Sequence, residues 1–249
     1  MNPAAGERIE DLQYKGLSII VKESGFRYGT DSVLLAGFVR ASKKERLIDL
    51  GTGTGIIALL ASARTGARID GIEIQPEQAD MASRSFKMNG VDAEVICADM
   101  REFAPVRLYD GAVCNPPYYP AGHGRVSQKG QSGFEGAATH ELYLSFEEMA
   151  RSASGAIKYG GRFFMCCPAE RLSEAFCTLT RERLEPKRLR LVSSCPGKAP
   201  YLALIEAKKG ASPGLVIEPD LVLMKEDGSY TAEADEIYHR NTDGRHVSQ

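Results

Sequence analysis

The stretch Arg46-Leu47-Ile48-Asp49-Leu50, followed by Gly51-Thr52-Gly53-Thr54-Gly55 and Ile56-Ile57-Ala58-Leu59-Leu60-Ala61, constrains this chain more than any other. A short apolar run reads as a buried strand. Three alternating glycines supply a backbone that can turn sharply and approach a ligand closely, and the second apolar run reads as a helix. A strand, a glycine-rich turn and a helix in that order commit the chain to βαβ units and a parallel sheet, with the turn at the carboxyl edge where open α/β sheets bind ligands. The spacing also excludes one use. A dinucleotide fingerprint begun at Gly51 needs its third glycine at position 56, which is Ile56; the glycine stands at Gly55 instead.

The pattern continues in the same sense. A second strand is expected over Ala67–Glu73, with Pro76 opening a helix that stops at Asn89-Gly90. A third strand spans Ala93–Cys97, and a fourth spans Asp110–Cys114 and ends at Asn115. A long loop from Tyr118 to about Thr139 comes next, then a helix over roughly Glu141–Lys158 stopping at Gly160-Gly161. A fifth strand, Arg162–Cys167, and a helix near Ala169–Arg183 follow. No helix fits between Lys187–Val192 and Tyr201–Glu206, so these form an antiparallel hairpin at one sheet edge. The polar stretches 1–10 and 240–249 are expected to fray.

Composition narrows the class. With 249 residues, 43% hydrophobic and 26% charged, the chain can bury a full core without disulfides or metals. Cys97, Cys114, Cys166, Cys167, Cys177 and Cys195 include no CxxC pair and read as small buried hydrophobes of a reducing compartment. His123, His140, His239 and His246 show no ligand spacing, so no metal is expected. No apolar run approaches about 18 residues and no signal segment opens the chain, so the expected location is the cytoplasm, with no membrane contact. A formal net charge of −2 excludes a uniformly basic nucleic-acid binder and leaves only a local patch. One such patch exists: between Arg162 and Lys209 ten basic residues face five acidic ones.

Five parallel strands closed by a hairpin, with Asp49–Gly55 after the first, resemble the class I methyltransferase fold, a Rossmann-like, doubly wound, mostly parallel α/β sheet. On that resemblance residues 1–45 are a cap segment, 46–210 the methyltransferase domain and 211–249 a partly disordered extension, all in one compact body. The resemblance implies S-adenosyl-L-methionine as cofactor. Its tail would lie on Asp49, Gly51, Thr52, Gly53 and Gly55. Glu73, about 20 residues beyond the loop, would accept the ribose hydroxyls, with Ile74 beside it. Asp99 and Met100 would meet the adenine. Tyr28, Gly29, Thr30 and Asp31 would close over the methionine end, although Thr30 or Asp31 can equally cap the helix that follows.

Asn115-Pro116-Pro117-Tyr118 is the sharpest motif. The lone pair of an adenine amine or an amide nitrogen is delocalised and poorly nucleophilic. An amide oxygen at Asn115 can accept one N–H and the Pro116 carbonyl another, while the prolines hold the backbone rigid and Tyr118 stacks on the planar group. No prior deprotonation is needed, so His123 and His140 are given no catalytic role.

Gly29-Thr30-Asp31-Ser32, Asp49–Gly55, Asn115–Tyr118 with Tyr119-Pro120, Lys187-Arg188-Leu189-Arg190, and the ending Ile217–Tyr238 together resemble bacterial tRNA adenine-N6 methyltransferases. Those enzymes act on the adenine 3′ of the anticodon in a valine tRNA. The resemblance implies a tRNA substrate. Arg125, Lys129, Lys187, Arg188 and Arg190 are the expected phosphate contacts. A release-factor glutamine-N5 methyltransferase shares the NPPY motif but carries a longer helical N-terminal region. A DNA adenine methyltransferase needs a target-recognition region for which there is little room. A silent RNA-binding module on the same fold is the remaining alternative, and intact Asp49, Glu73 and Asn115 argue against it. Monomer and homodimer both stay open.

Overall fold

The structure is a computed structural model that describes residues 3–23, 29–116 and 144–238. Strands β1 (Glu7–Asp11) and β2 (Ser18–Lys22) form a leading antiparallel hairpin, and helix α1 (Thr30–Phe38) follows. Then come β3 (Arg46–Leu50), α2 (Ile56–Thr65), β4 (Arg68–Glu73), α3 (Pro76–Met88), β5 (Val95–Cys97) and β6 (Tyr109–Cys114). The remainder is α4 (Phe146–Ala156), β7 (Ile157–Pro168), a 3-10 turn, α5 (Leu172–Arg181), β8 (Leu184–Ser193), β9 (Leu202–Lys209), β10 (Val216–Ile217), β11 (Leu221–Val222) and α6 (Ala232–Ile237).

The main sheet runs β10-β8-β9-β7-β6-β3-β4-β5, with β11 also on β8. Strands β3 to β7 are mutually parallel, and β9 is antiparallel to both β7 and β8. The expected hairpin is therefore present, but it is not the edge. β10 and β11, from the segment expected to be an extension, add themselves in parallel outside β8.

Strand alternation builds two cores. Along β7, Phe164 and Cys166 face the layer of α1 and α2, while Phe163, Met165 and Cys167 face α4 and α5. Helices thus cover both faces, as the apolar strand runs require. Gly66 in the left-handed region ends α2, and Asn89-Gly90 ends α3. Helix α4 starts five residues later than expected. The capping box of Ser145 and Glu148 fixes its first turn, with Ser145 Oγ accepting from the Glu148 N–H at 3.1 Å. It also ends early. Gly160-Gly161, read as its stop, lies inside β7 beside a register shift of the β6 pairing.

Residues 7–10 are not frayed. The Glu7 carboxylate accepts from both terminal nitrogens of Arg84 on α3, at 2.8 and 2.6 Å. The Ser18 and Ile20 N–H groups of β2 donate to Asn89 Oδ1 and Ser85 Oγ on the same helix. The polar side chains that suggested fraying are what dock the hairpin. Cys114, Cys166 and Cys167 are buried as expected, whereas Cys97 and Cys177 are exposed. Among the described residues no helix is long and apolar enough to cross a membrane, and no group of three or more His, Cys, Asp and Glu could hold a metal.

Candidate active site

Because β3 to β7 are parallel, their carboxyl ends share one edge, and that edge gathers the site. The turn after β3 takes positive φ at Gly51 (75°), Gly53 (58°) and Gly55 (93°), a region that L side chains rarely adopt. At Gly55 a Cβ would also stand 2.7 Å from Phe86 Cε1, so the glycine lets α2 and α3 pack together. Thr52 folds back and its hydroxyl donates to Asp49 Oδ2 at 2.7 Å. Asp49 is fully buried, and its Oδ1 has no hydrogen-bond partner. Burial pushes its carboxyl up to about 7, against the Thr52 bond, which pulls it down.

Glu73 ends β4 beside this turn. Its Oε2 accepts the Gly53 N–H and its Oε1 the Gln75 N–H, both at 2.9 Å. Burial raises its carboxyl, and those backbone donors oppose the rise. Each carboxylate oxygen keeps further acceptor capacity. The neighbouring Ile74 is 41% exposed, which leaves an apolar surface open next to Glu73. Met100 lies against the turn, its Cε 3.3 Å from where a Gly51 Cβ would stand. A carboxylate with spare acceptors, a positive-φ turn and two flanking apolar side chains fit a ribose and a flat ring, so the residues suit a nucleoside cofactor.

Asp99 is less free than its expected role requires. Arg101 Nε and Nη2 donate to it at 2.9 and 2.5 Å, and the pairing holds its carboxyl below the usual range. Arg101 also reaches Glu148 on α4, at 3.5 Å. An adenine amine would have to share the carboxylate with Arg101, which the sequence reading missed.

Asn115 stands at the end of β6, two strands from Glu73. Its Nδ2 donates to Ser32 Oγ of α1 at 2.9 Å, and its Oδ1 accepts from the Cys166 thiol of β7 at 3.2 Å. Pro116 is buried behind it. Gly29 caps α1 without a side-chain bond, so neither Thr30 nor Asp31 is the cap. Asp31 instead sits in the first turn. Burial raises its carboxyl while the Thr30 hydroxyl opposes the rise. Burial first, and the Asp31 charge after it, raise the hydroxyl of Tyr201, which immediately precedes the last strand of the hairpin and was also missed. Tyr28, Pro117, Tyr118, Arg125 and Lys129 lie outside the described residues, as do His123, His140 and the whole expected loop.

The basic strand needs correction. Arg188 is buried and donates to Glu206 Oε2 at 2.8 Å and to the Phe38 carbonyl at 2.7 Å, with the Phe38 ring 3.6 Å from its guanidinium carbon. Arg190 is held by Glu233 at 2.6 and 2.8 Å, and Lys187 Nζ donates to the Ser212 carbonyl at 3.1 Å. Arg188 is thereby withdrawn from any phosphate contact, while Arg190 and Lys187 tie the sheet to the C-terminal segment. Exposed cations on the catalytic edge include Lys198, in the β8–β9 turn, and Lys225, after β11.

Residues 24–167 match the methyltransferase small domain. The tRNA1(Val) (adenine(37)-N6)-methyltransferase of Bacteroides fragilis is 30% identical over 200 residues, covering 78% of this chain and 82% of that protein. The enzyme of the same name from Photorhabdus laumondii is 29% identical over 240 residues, covering 92% and 94%. Among solved structures, one described as a predicted O-methyltransferase from Agrobacterium tumefaciens superposes with TM-score 0.66 at 23% identity, over 88% of this chain and all of the other. A 16S rRNA N2 methyltransferase of T. thermophilus gives 0.56 at 17% identity, over 83% and 51%, and was solved with AdoMet and guanosine. The fold is thus that of a methyltransferase. The chain belongs to the methyltransferase small-domain family, among relatives named as tRNA1(Val) adenine-N6 methyltransferases.

Proposed function

We propose that the protein transfers a methyl group from S-adenosylmethionine to the N6 amine of an adenine in a valine tRNA, in the cytoplasm. The observation that carries this is Asn115: an amide fixed at a strand end, on the same edge as the Gly51–Gly55 turn and Glu73. The names of the relatives supply the substrate.

Bound S-adenosylmethionine supplies an electrophilic methyl group on sulfonium. Gly51, Gly53 and Gly55 would give its tail a close backbone approach, and Glu73 would accept the ribose hydroxyls. Ile74 and Met100 would flank the adenine ring, and Asp99 would share its carboxylate between that ring's amine and Arg101. Asn115 Oδ1 would accept one N–H of the target amine and the Pro116 carbonyl the other, which draws charge onto the target nitrogen. The second N6 proton is lost to water after transfer, so no residue acts as a base before attack. Stacking on the target base remains the role proposed for Tyr118, and the exposed Lys198 and Lys225 would meet phosphate.

The test is mass spectrometry of nucleosides from unmodified tRNA treated with enzyme and cofactor. N6-methyladenosine in one tRNA species is expected. Methylated glutamine in release factor, with no modified nucleoside, would overturn the reading.

A further inference from the structure

We infer that Ser32 is a positioning residue for the reaction: it holds the Asn115 amide in place at the strand end, with Cys166 as the weaker second anchor. The inference rests on Asn115 acting as proposed above and adds the groups that make that action possible.

An asparagine amide is a two-ended rotor. One end accepts and the other only donates, and a half-turn about its last side-chain bond exchanges them. An amine that must give up an N–H gains nothing from the donating end. The amide must therefore be held in place for the reaction, and two other elements of the fold supply anchors for it. Strand alternation turns Cys166 of β7 toward the α1 layer, and the first turn of α1 carries Ser32 down against the same point. Ser32 is 6% exposed and Cys166 is fully buried, so water does not compete freely for either contact. Ser32 Oγ takes an Nδ2 proton at 2.9 Å, and the Cys166 thiol donates to Oδ1 at 3.2 Å. A thiol is a weak donor, so its bond to Oδ1 is one that a target amine can share. Ser32 is 83 residues from Asn115 in sequence, which is why no local motif announces the pair.

The test uses the full chain, unmodified tRNA and S-adenosylmethionine, with single-turnover rates and calorimetric cofactor affinity read side by side. Ser32→Ala should slow transfer about tenfold or more with cofactor affinity within about twofold, as expected when a reacting group loses orientation but binding is spared. Threonine and valine have nearly the same shape, but only threonine keeps the hydroxyl. Ser32→Thr should therefore retain about a third or more of the rate, while Ser32→Val falls like alanine. Cys166→Ala should cost only about two- to threefold. Equal rates for the Thr and Val variants, or a rate loss that tracks lost cofactor affinity, would overturn the inference by showing that Ser32 only packs α1. Full activity in Asn115→Ala would overturn the underlying reading instead. A silent Asn115→Ala beside a fully active Ser32→Ala would remove the inference alone.

Discussion

The two arms of the catalytic edge are built by different means. On the arm of β3 and β4 each functional group is held by near neighbours: Thr52 holds Asp49 from three residues away, and Glu73 takes the N–H of Gln75 two residues on and of Gly53 twenty back. On the arm of β6 to β11 the anchors are side chains brought from far away. Asn115 meets Ser32 across 83 residues, Arg188 meets Phe38 across 150, and Arg40 meets Glu218 across 178. The first arm is fixed once its βαβ unit forms. The second depends on α1, the hairpin and the C-terminal segment all being in place. On the proposed function, the cofactor would rest on the local arm and the substrate would be selected by the arm that the whole fold assembles.

The largest effect expected from this contrast is on stability, not catalysis. Arg188 and Glu206 are nearly buried, at 8% and 13% side-chain exposure. Arg188→Ala would leave that carboxylate and the Phe38 carbonyl without their donor. The cost should be about 3–5 kcal/mol, because breaking a buried pair strands the remaining charge. In a domain of this size that is a Tm drop of roughly 10 °C. The salt dependence of tRNA binding should not change. Lys198→Glu with Lys225→Glu should leave Tm within about 2 °C and flatten that salt dependence, since exposed sites carry little stability but phosphate contacts release counterions. The reverse pattern would return the phosphate role to the basic strand and dissolve the contrast.

Asn115→Ala comes next. Transfer should fall by on the order of a hundredfold, or about 2.7 kcal/mol, with cofactor affinity intact, because the amide acts in the chemical step. Glu73→Ala should do the opposite, weakening cofactor binding about ten- to thirtyfold, or roughly 1.4–2 kcal/mol. It also leaves the Gly53 and Gln75 N–H groups without their acceptor, so a small Tm loss should accompany it. If Glu73→Ala altered the rate at saturating cofactor while Asn115→Ala altered affinity, the division of labour between the arms would be wrong.

The same contrast explains what could be read from residues alone. The Asp49–Gly55 turn, Glu73 and Asn115 were legible because strand periodicity puts them at strand ends and their supports are local or backbone. The parallel core and the antiparallel β8–β9 hairpin followed from apolar runs and the absence of a helix between them. Ser32, Cys166, Arg101 and Tyr201 were not legible, since each gains meaning only from a partner that tertiary packing supplies. Arg188 and Arg190 misled for the same reason. A run of cations on a strand reads as a surface patch until Glu206, Glu218 and Glu233 arrive from elsewhere in the chain. Residues 7–10 misled likewise, because the arginine that pairs with Glu7 lies on α3.

The last test probes the local arm at its most buried point. Asp49 shares its surroundings with Glu73, and burial chiefly, with that second carboxylate adding to it, raises its carboxyl from about 3.8 to about 7. The native state therefore holds a proton that the unfolded chain releases at lower pH. The associated stability is fully present below the unfolded value and is lost as pH rises through the native one, across a window from about 4 to about 7. An amide in place of this carboxyl cannot ionise, yet its oxygen can still accept from Thr52, so Asp49→Asn should flatten this part of the profile. The amide would also place a donor where Oδ1 now lacks a partner, a cost that does not vary with pH. The comparison must therefore rest on slopes, not on absolute Tm. Between about pH 5 and 7 the wild type should lose up to about 1.4 kcal/mol per pH unit that the variant keeps, roughly 5–10 °C of Tm across the window. Parallel profiles would mean that Asp49 keeps one charge state throughout, and that the buried end of the glycine turn is as well satisfied as Glu73 beside it.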